Sequence, residues 1–389
     1  MDFQLSETHR SLRKEVRTFA EKEIAPIAAT IDRDQSFPSE LFERLAELGY
    51  AGGGVPPAYQ GTFSNYLSVV ITGEELARVS ASIPVALFPH SILCAHNIFR
   101  YGSEAQKERY LPVLARGRRW GAMALAEEAA GSDIFSLRTK AKRSGNDYVL
   151  RGSKTYITNV PFAEVYLVFA KTGEGDGPEN ISAFIVERDS EGFSFGKTFD
   201  KMGMRGSPTG RLFFKNCKTP AKNLLGGEEG IGYRQLFKGM DVERVSWASI
   251  ALGIAQASFE SALNYSKKRR QFKKPLIDFQ MIQYMISEMA VNVEAARLLT
   301  YKGASLLDRG MNARFEASAA KLFSAEAAVK TSGDAVQIHG GAGYMKNHAV
   351  ERYFRDAKIL TVAAGSSEVQ RMIIAHELKR KDRNEAFIC

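Results

Sequence analysis

Apolar residues in the first third of the chain recur at the three- and four-residue spacing of amphipathic helices. Between residues 6 and 30 this stripe consists of Leu12, Val16, Phe19, Ala20 and Ile24. The segment FPSELFERLAELGY repeats the pattern, with Pro38 near the expected helix start and Gly49 where a helix C-cap belongs. The same period continues to about residue 115, so residues 1–120 are predicted to form a helical domain.

The period changes after residue 120. Short runs of β-branched and aromatic residues are then divided by Gly, Asn, Asp and Pro, as is typical of strands. They are DYVLRGSKTYITN, AEVYLVFAKT, ISAFIVERD and GRLFFKNCKTP. We predict a small β domain over residues 121–234.

Helical spacing returns at about residue 235 and continues to the last residues. One apolar stripe consists of Phe279, Ile282, Ile286, Met289, Val293 and Ala296, and a second helix is predicted within residues 313–341. Residues 235–389 are therefore predicted to form a second helical domain. The α, β, α order favours an α+β fold over a Rossmann fold, because strands and helices do not alternate.

The amino-acid composition restricts which classes of protein this chain can belong to. Hydrophobic residues make up 44% of the chain and charged residues 25%, as in ordinary globular proteins. No apolar run approaches the roughly 20 residues of a membrane helix, and MDFQLSETHR lacks the features of a signal peptide. The cysteines Cys94, Cys217 and Cys389 fit a reducing compartment better than a disulfide framework or a zinc site. We expect a cytoplasmic protein that has no membrane partner and binds no metal.

The net charge of +9 favours an acidic partner. The basic residues are scattered, with the densest cluster in KKRRQFKK at 267–274, and no nucleic-acid recognition motif is present. A phosphate-bearing small molecule explains the charge without nucleic acid, which we do not expect as a partner.

Four segments carry candidate chemistry, and each also has a purely structural interpretation. Residues 130–132 (Ala-Gly-Ser) offer closely spaced N–H groups to a phosphate or a flavin edge, or form an ordinary turn. GSKTYITN, residues 152–159, places Tyr156 where it can cover a planar cofactor, or is simply a half-buried strand. RRQFKKPLIDFQ, residues 269–280, suits an anionic or adenine-bearing ligand, or is a solvated helix end. QIHGGAGY, residues 337–344, allows close backbone approach to a ligand, or is a helix C-cap.

In this order and spacing, the motifs resemble the acyl-CoA dehydrogenase family over essentially the whole chain. They are AGSD at 130–133, YITN at 156–159, KMGMRGSPTG at 201–210, RRQF at 269–272 and GGAGY at 340–344. The resemblance implies an N-terminal helical domain, a middle β-barrel and a C-terminal four-helix bundle. It also implies bound FAD, α,β-dehydrogenation of an acyl-CoA, electron transfer to an electron-transferring flavoprotein, and a homotetramer built as a dimer of dimers.

The resemblance also assigns residues by position. The FAD contacts that it implies are Met123, Leu125, Ala126, Gly131, Ser132, Tyr156, Ile157, Thr158, Arg269, Gln271, Phe272, Gln280, Gln337, Gly340, Gly341, Ser366 and Glu368. The substrate contacts that it implies are Ser132, Asp241, Arg244, Ala364 and Gly365.

One catalytic group is missing from its usual place. Many family members carry Tyr-Glu-Gly-Thr in the turn before the last helix, and that Glu is the base. Here the turn reads Ala363-Ala364-Gly365-Ser366, within ILTVAAGSSEVQRMIIA. The methyl group of Ala364 accepts no proton, although its N–H can still bind a thioester oxygen.

Some members, notably isovaleryl-CoA dehydrogenase, place the base on a helix immediately before an Arg and have a small residue in the turn. Glu243-Arg244 in GMDVERVSWASIALGIAQ matches that arrangement, as does Asp241. We therefore predict that Glu243 is the base. The adjacent small residues Ala363 and Ala364 favour a short branched or bulky acyl group.

Two departures from the family pattern accompany this change. The first loop reads Ala126-Glu127-Glu128 where the family has Thr-Glu-Pro, and Lys273 replaces the usual Gly after the RRQF motif.

Two alternatives to this predicted function therefore stay open. One is the same chemistry on an aryl- or cyclohexyl-bearing CoA ester or a carrier-protein thioester, and the other is a catalytically silent flavoprotein that serves as a binding module.

Overall fold

The computed structural model describes residues 4–380, and its first part is helical as predicted. Helix α1 begins after Ser6, whose side chain accepts a hydrogen bond from the His9 N–H. Helix α3 begins after Pro38 and ends before Gly49, which takes a left-handed φ of 83°. The helices of this part are α1 (Glu7–Phe19), α2 (Ala28–Asp34), α3 (Ser39–Glu47), α4 (Tyr66–Val79), α5 (Ser82–Phe88), α6 (Asn97–Tyr101) and α7 (Glu104–Ala115).

A continuous helical segment runs through the centre of this domain. Helices α5 and α6 are joined by the π-helical residues Pro89–His96. The sequence alone predicted no apolar run of membrane-spanning length, but the whole segment, Ser82–Tyr101, is long and apolar enough to cross a membrane; 94% of its apolar window is buried inside the protein. It is the core helix of the domain.

A buried ion-pair cluster ties α1 to α4. Glu75 is fully buried and pairs with Arg17 at 2.8 Å and with Arg78 at 3.4 Å. Glu74, also buried, pairs with Arg297 at 3.1 Å. Because Arg297 belongs to the C-terminal part of the chain, the cluster also fixes that part against the first helices.

The middle part is a seven-stranded mixed sheet with the pairing order β1-β4-β2-β3-β7-β6, and β5 pairs with β4. Its strands are β1 (Trp120–Ala124), β2 (Lys140–Ser144), β3 (Asp147–Thr158), β4 (Ala163–Lys171), β5 (Ile181–Glu187), β6 (Phe193–Phe195) and β7 (Thr209–Pro220). The four predicted strands correspond to β3, β4, β5 and β7. Among the described strands the pairing runs from β1 to β6 without closing, and the barrel that the resemblance implies stays a prediction.

The last part is a helical bundle, in which α10 packs against α8, α9, α11 and α12. Four residues of the predicted apolar stripe, Ile286, Met289, Val293 and Ala296, are buried. Phe279 and Ile282 are half-buried at the start of the same helix. The helices are α8 (Gly232–Lys268), α9 (Gln280–Asp308), α10 (Arg314–His339), α11 (Val350–Lys358) and α12 (Ser367–Arg380), and a small hairpin of β8 (Arg270–Gln271) and β9 (Lys274–Pro275) joins α8 to α9.

The three-part α+β architecture is thus confirmed. The domain limits 1–120, 121–234 and 235–389 stay predictions. Residues 381–389 of the last domain lie outside the described part of the chain.

Candidate active site

The turn Ala363–Ser366 connects α11 to α12 in an unusual backbone conformation. Ala364 has a φ of 55° and Gly365 a φ of 81°, so two consecutive residues are left-handed. This conformation strains an alanine but not a glycine. Within residues 4–380 the N–H of Ala364 donates to no acceptor, so it can bind a ligand oxygen.

Two buried side chains hold the carbonyl groups of this turn. Gln370 Nε2 donates to the Ala364 oxygen at 3.2 Å and to the Gly365 oxygen at 2.9 Å. Lys321, on α10, also donates to the Gly365 oxygen. Since both carbonyls are fixed toward the protein, the peptide planes of the turn are fixed as well.

Glu243, the predicted base, lies on α8. Burial raises the pKa of its carboxyl group to about 7, although the positive charges of Arg244 and Lys321 act in the opposite direction. A carboxyl group with a pKa near neutral pH can both accept and release a proton under ordinary conditions. Glu243 therefore has the protonation behaviour expected of a general base.

Asp241 and Arg244, the other predicted residues of this helix, form a buried ion pair. Arg244 Nη1 lies 2.5 Å from Asp241 Oδ1, and Arg244 Nε is buried without a partner in the described part of the chain. Burial lowers the pKa of Arg244, and Asp241 opposes this effect. A cavity of about 550 Å³ is lined by Phe237, Arg244, Arg314 and Met372, so Arg244 lies at its edge.

A second cavity, of about 360 Å³, lies in the N-terminal domain. It is lined by residues of α1, α4 and α5, including Leu12, Val69 and Ile92. No predicted site residue borders it, so we place the candidate site at the first cavity and the turn.

The loop after β1 carries Met123, Leu125 and Ala126, and a buried ion pair fixes it. Lys154 Nζ donates to Glu127 Oε1 at 2.7 Å and to the Leu125 oxygen at 2.9 Å. The Glu127 carboxylate also accepts the N–H groups of Arg138 at 2.6 Å and Thr139 at 3.0 Å. Gly131 and Ser132, at the far end of this loop, are exposed.

The loop lies directly against the strand that carries Tyr156, Ile157 and Thr158. The Thr155 N–H donates to the Ala126 oxygen at 2.9 Å, which joins the two segments. Tyr156 has a left-handed φ of 58° and is 70% exposed, whereas Ile157 is buried. The strand thus presents an aromatic ring to the surface at the place where the sequence predicts a planar cofactor.

The remaining predicted cofactor residues lie on exposed segments of the C-terminal domain. Phe272 and Lys273 form the left-handed tip of the hairpin, and Phe272 is 87% exposed. Gly340 follows α10 with φ 59° and ψ −142°, a conformation open to glycine alone. The exposed residues of this set are Arg269, Gln271, Phe272, Gln280, Gln337, Gly340, Gly341 and Glu368, while Ser366 is half-buried.

These features fit FAD. Tyr156 and Phe272 expose aromatic surface of the kind that planar rings cover, and Gly340 and Gly341 have open space around their α-carbons. The structure brings the loop after β1 together with β3, and Asp241 together with Arg244. The roles of these residues stay predictions.

Sequence reasoning missed four residues that hold this site in place, namely Glu127, Lys154, Lys321 and Gln370. Lys154 and Lys321 occupy polar positions in otherwise ordinary strand and helix patterns, and such lysines are usually solvated. Only Glu127 gave a signal, because it lies in the loop that departs from the family pattern.

Comparison with known proteins identifies the family of the chain. Three family models match: the acyl-CoA dehydrogenase N-terminal domain over residues 6–118, the middle domain over 122–217 and the C-terminal domain over 230–379. An acyl-CoA dehydrogenase of Bacillus subtilis is 44% identical over 94% of this chain and 97% of its own length. A 3-(aryl)acrylate reductase of Clostridium sporogenes is 40% identical, with 96% and 99% covered.

A further relative and a solved structure are equally complete matches. The caffeyl-CoA reductase-Etf complex subunit CarC of Acetobacterium woodii is 40% identical over 97% of this chain and 99% of its own length. The solved structure of butyryl-CoA dehydrogenase from Megasphaera elsdenii superposes with a TM-score of 0.95 at 39% identity, covering 98% of this chain and 100% of that one. The chain therefore belongs to the acyl-CoA dehydrogenase family, a family of FAD-dependent oxidoreductases that act on the CH–CH group of acyl-CoA substrates.

Proposed function

We propose that this protein dehydrogenates a short branched or bulky acyl-CoA, with Glu243 as the base that removes the α-proton. One observation carries the proposal: Glu243 is a carboxyl group with a pKa near neutral pH, while position 364 in the turn holds an alanine. The carboxylate on α8 takes the place of the one that many family members have in the turn.

The α-proton of a thioester is far too weakly acidic to be lost to water at a useful rate. The site must therefore stabilise the negative charge that develops on the thioester oxygen. The free N–H of Ala364 is suited to this, since the carbonyls of the turn are already engaged by Lys321 and Gln370. The donor is thus in place before substrate binds.

Glu243 receives the α-proton, and the electron pair of that C–H bond forms the new carbon–carbon double bond. Bound FAD supplies the acceptor for the β-hydrogen, which leaves with its electron pair. The residues proposed to hold FAD are those of the loop after β1, Tyr156 to Thr158, the exposed hairpin, Gly340 and Gly341, and Ser366 with Glu368. Arg244 faces the adjacent cavity and is suited to a CoA phosphate or carbonyl oxygen.

The acyl group is proposed from the size of two side chains. Ala363 and Ala364 leave space beside the α- and β-carbons that a Tyr-Glu pair would fill. A branched chain of the isovaleryl type fits this space, and so does an aryl or cyclohexyl group. One relative is named for arylacrylate chemistry, which supports the aryl ester as the second candidate.

Two kinds of partner follow from the same proposal. An electron-transferring flavoprotein is proposed as the electron acceptor, since one relative is a subunit of an Etf complex. A homotetramer is proposed because α9 carries an exposed apolar stripe at mostly seven-residue spacing: Met281, Tyr284, Val291 and Leu298, exposed by 72, 61, 65 and 44%. A stripe at this spacing suits packing against another helix, as a second copy of the chain would provide.

The test is anaerobic reduction of the bound flavin by a panel of acyl-CoAs. The panel contains isovaleryl, isobutyryl, butyryl, octanoyl and phenyl- or cyclohexyl-bearing esters, and loss of flavin absorbance is followed. Glu243→Gln is measured beside wild type, and Glu260→Gln on the same helix is the matched control. We expect fast reduction by a branched or bulky ester, at least a 1,000-fold slower reaction in Glu243→Gln (about 4 kcal/mol of barrier), and retained FAD in all three proteins.

The other outcomes each contradict a different part of the proposal. Reduction that is unaffected by Glu243→Gln means that another group takes the proton. Fastest reduction by octanoyl-CoA excludes the branched or bulky preference. No reduction by any free ester favours a carrier-protein substrate or a silent flavoprotein.

A further inference from the structure

Lys321 is a buried lysine whose position the proposed chemistry does not yet explain. It lies in the middle of α10 with only 1% of its surface exposed. Its neighbours along this buried face are small, with Ala317, Ser318, Ser324 and Ala325 all at or below 1% exposure. A lysine in such surroundings is costly unless its ammonium group is hydrogen-bonded and its charge is balanced.

Among the described residues, the ammonium group has one direct hydrogen-bond acceptor, the Gly365 carbonyl oxygen at 2.5 Å. That oxygen also accepts from Gln370 Nε2 at 2.9 Å, so Lys321 and Gln370 hold it from α10 and α12. The peptide that follows Ala364 is thereby fixed while Ala364 stays at a φ of 55°. Two hydrogen bonds, one of them charge-assisted, can offset the strain of a left-handed non-glycine residue.

Several charged groups act on the same ammonium. Glu243 and Arg244 face it from α8, Glu368 from α12 and Glu326 from its own helix. Burial lowers the pKa of Lys321 to about 8, and Glu243 is the first of the opposing influences. The positive charges of Arg244 and Lys321 in turn act on the Glu243 carboxyl group. Lys321 is therefore hydrogen-bonded to the turn and acts on the carboxylate electrostatically.

We propose that Lys321 is a positioning residue for this reaction: its ammonium group fixes the turn that presents the Ala364 N–H, and its charge stabilises the Glu243 carboxylate. The inference rests on the proposed function, because it assigns Lys321 to a base and an oxyanion donor that the proposal defines. One side chain of α10 then acts both on the geometry of the turn, which Gln370 also holds, and on the charge of the base.

The proposed effect of the Lys321 charge on Glu243 predicts a shift of the pH–rate profile in one direction. Glu243 acts as a base only when it is ionised, so the rate of flavin reduction rises with pH through its pKa. Removal of the Lys321 charge disfavours the carboxylate, so this rise moves to higher pH. A purely structural lysine would change the rate or the stability and leave the pH of the rise where it was.

The experiment compares the wild-type holoenzyme with Lys321→Met, Lys321→Gln and the control Lys330→Met. Lys330 lies on the same helix and its side chain is 50% exposed. Anaerobic flavin reduction by the most reactive ester of the panel is measured between pH 5.5 and 9. We expect flavin reduction in Lys321→Met to be at least about tenfold slower than in wild type at pH 7. The rise of its rate with pH should move by about one pH unit or more to higher pH, as loss of a charge-assisted interaction implies. Lys330→Met should match wild type.

Lys321→Gln keeps a donor toward the turn but carries no charge. It should show the displaced pH profile, and it serves as the test protein should Lys321→Met fail to fold. If the folded Lys321 variants show the same pH dependence of flavin reduction as wild type, the inference is overturned. Failure of the proposed function is recognised separately, because wild type itself is then not reduced by any ester or Glu243→Gln reacts normally.

A second readout needs no turnover. At pH 8, the change in melting temperature that Lys321→Met causes in the holoenzyme should be several degrees less favourable in the wild-type background than in the Glu243→Gln background, because only the wild-type background loses an attraction between two charges. Equal changes in both backgrounds mean that Lys321 and Glu243 do not interact, which also overturns the inference.

Discussion

Replacing Glu243 by glutamine should make the protein more stable at alkaline pH while it abolishes activity. Burial raises the pKa of this carboxyl group from an ordinary 4.5 to about 7. Between these values the folded state still binds the proton that the unfolded chain has already released. The free energy of unfolding of wild type therefore falls as pH rises through this window, and it levels off above about pH 7.

The magnitude follows from the difference between the two values. They are about 2.5 pH units apart, and one unit corresponds to about 1.4 kcal/mol, so ionised Glu243 costs wild type about 3 kcal/mol. Glutamine keeps the shape and carries no charge at any pH. Glu243→Gln should thus be about 3 kcal/mol more stable than wild type at pH 8.5 and similar to it at pH 4.5.

Urea unfolding of the FAD-loaded proteins, followed by circular dichroism at a series of pH values, measures this difference. Glu260→Gln is the control on the same helix, and it should lose stability, because Glu260 pairs with Arg78 at 2.7 Å. A stability difference between Glu243→Gln and wild type that stays constant from pH 5 to 8.5 would refute the reasoning, because the carboxyl group would then titrate alike in both states.

Three further predictions concern other parts of the molecule. Lys154→Met leaves the buried Glu127 without its cation and should cost about 3 kcal/mol in urea unfolding; equal stability would show that the backbone donors to Glu127 suffice. Gly365→Ala places a Cβ 2.6 Å from Gln370 Nε2 at a φ of 81°, so flavin reduction should slow at least about tenfold while FAD stays bound; an unchanged rate means that the turn is not critical. Val291→Lys puts a charge on the exposed stripe of α9 and should lower the mass measured by light scattering, whereas an unchanged mass excludes this face as the tetramer contact.

Sequence patterns predicted the elements with strong periodicity and missed the weak ones. Strand β3 and helix α10 have long, regular patterns and were predicted almost to their ends. Strand β1 (WGAMA) is short and made largely of small residues, and β2 (KAKRS) is mostly polar, so neither carries a strand signal of its own. Both form because β4 and β3 offer them backbone partners, which is information from distant parts of the chain.

In the candidate site, too, some residues were predicted from the sequence and others were not. Glu243 and Ala364 were predicted from the resemblance, because a missing carboxylate in the turn directs attention to another. Lys321 could not be predicted, since a lysine in an alanine-rich helix is normally solvated, and only the packing of α10 against α8 and α12 buries it. The left-handed φ of Ala364 also depends on where the donors of Lys321 and Gln370 lie, which no local pattern specifies.

The separation of Glu243 from the turn has a consequence for how such an enzyme can evolve. When the base is part of the turn, any change at that position destroys proton abstraction, so the residue beside the reacting carbons is fixed. Under the proposed mechanism, position 364 contributes only its backbone N–H, which every residue except proline keeps. Its side chain is then free to drift, and single substitutions there can reshape the acyl pocket while the chemistry survives.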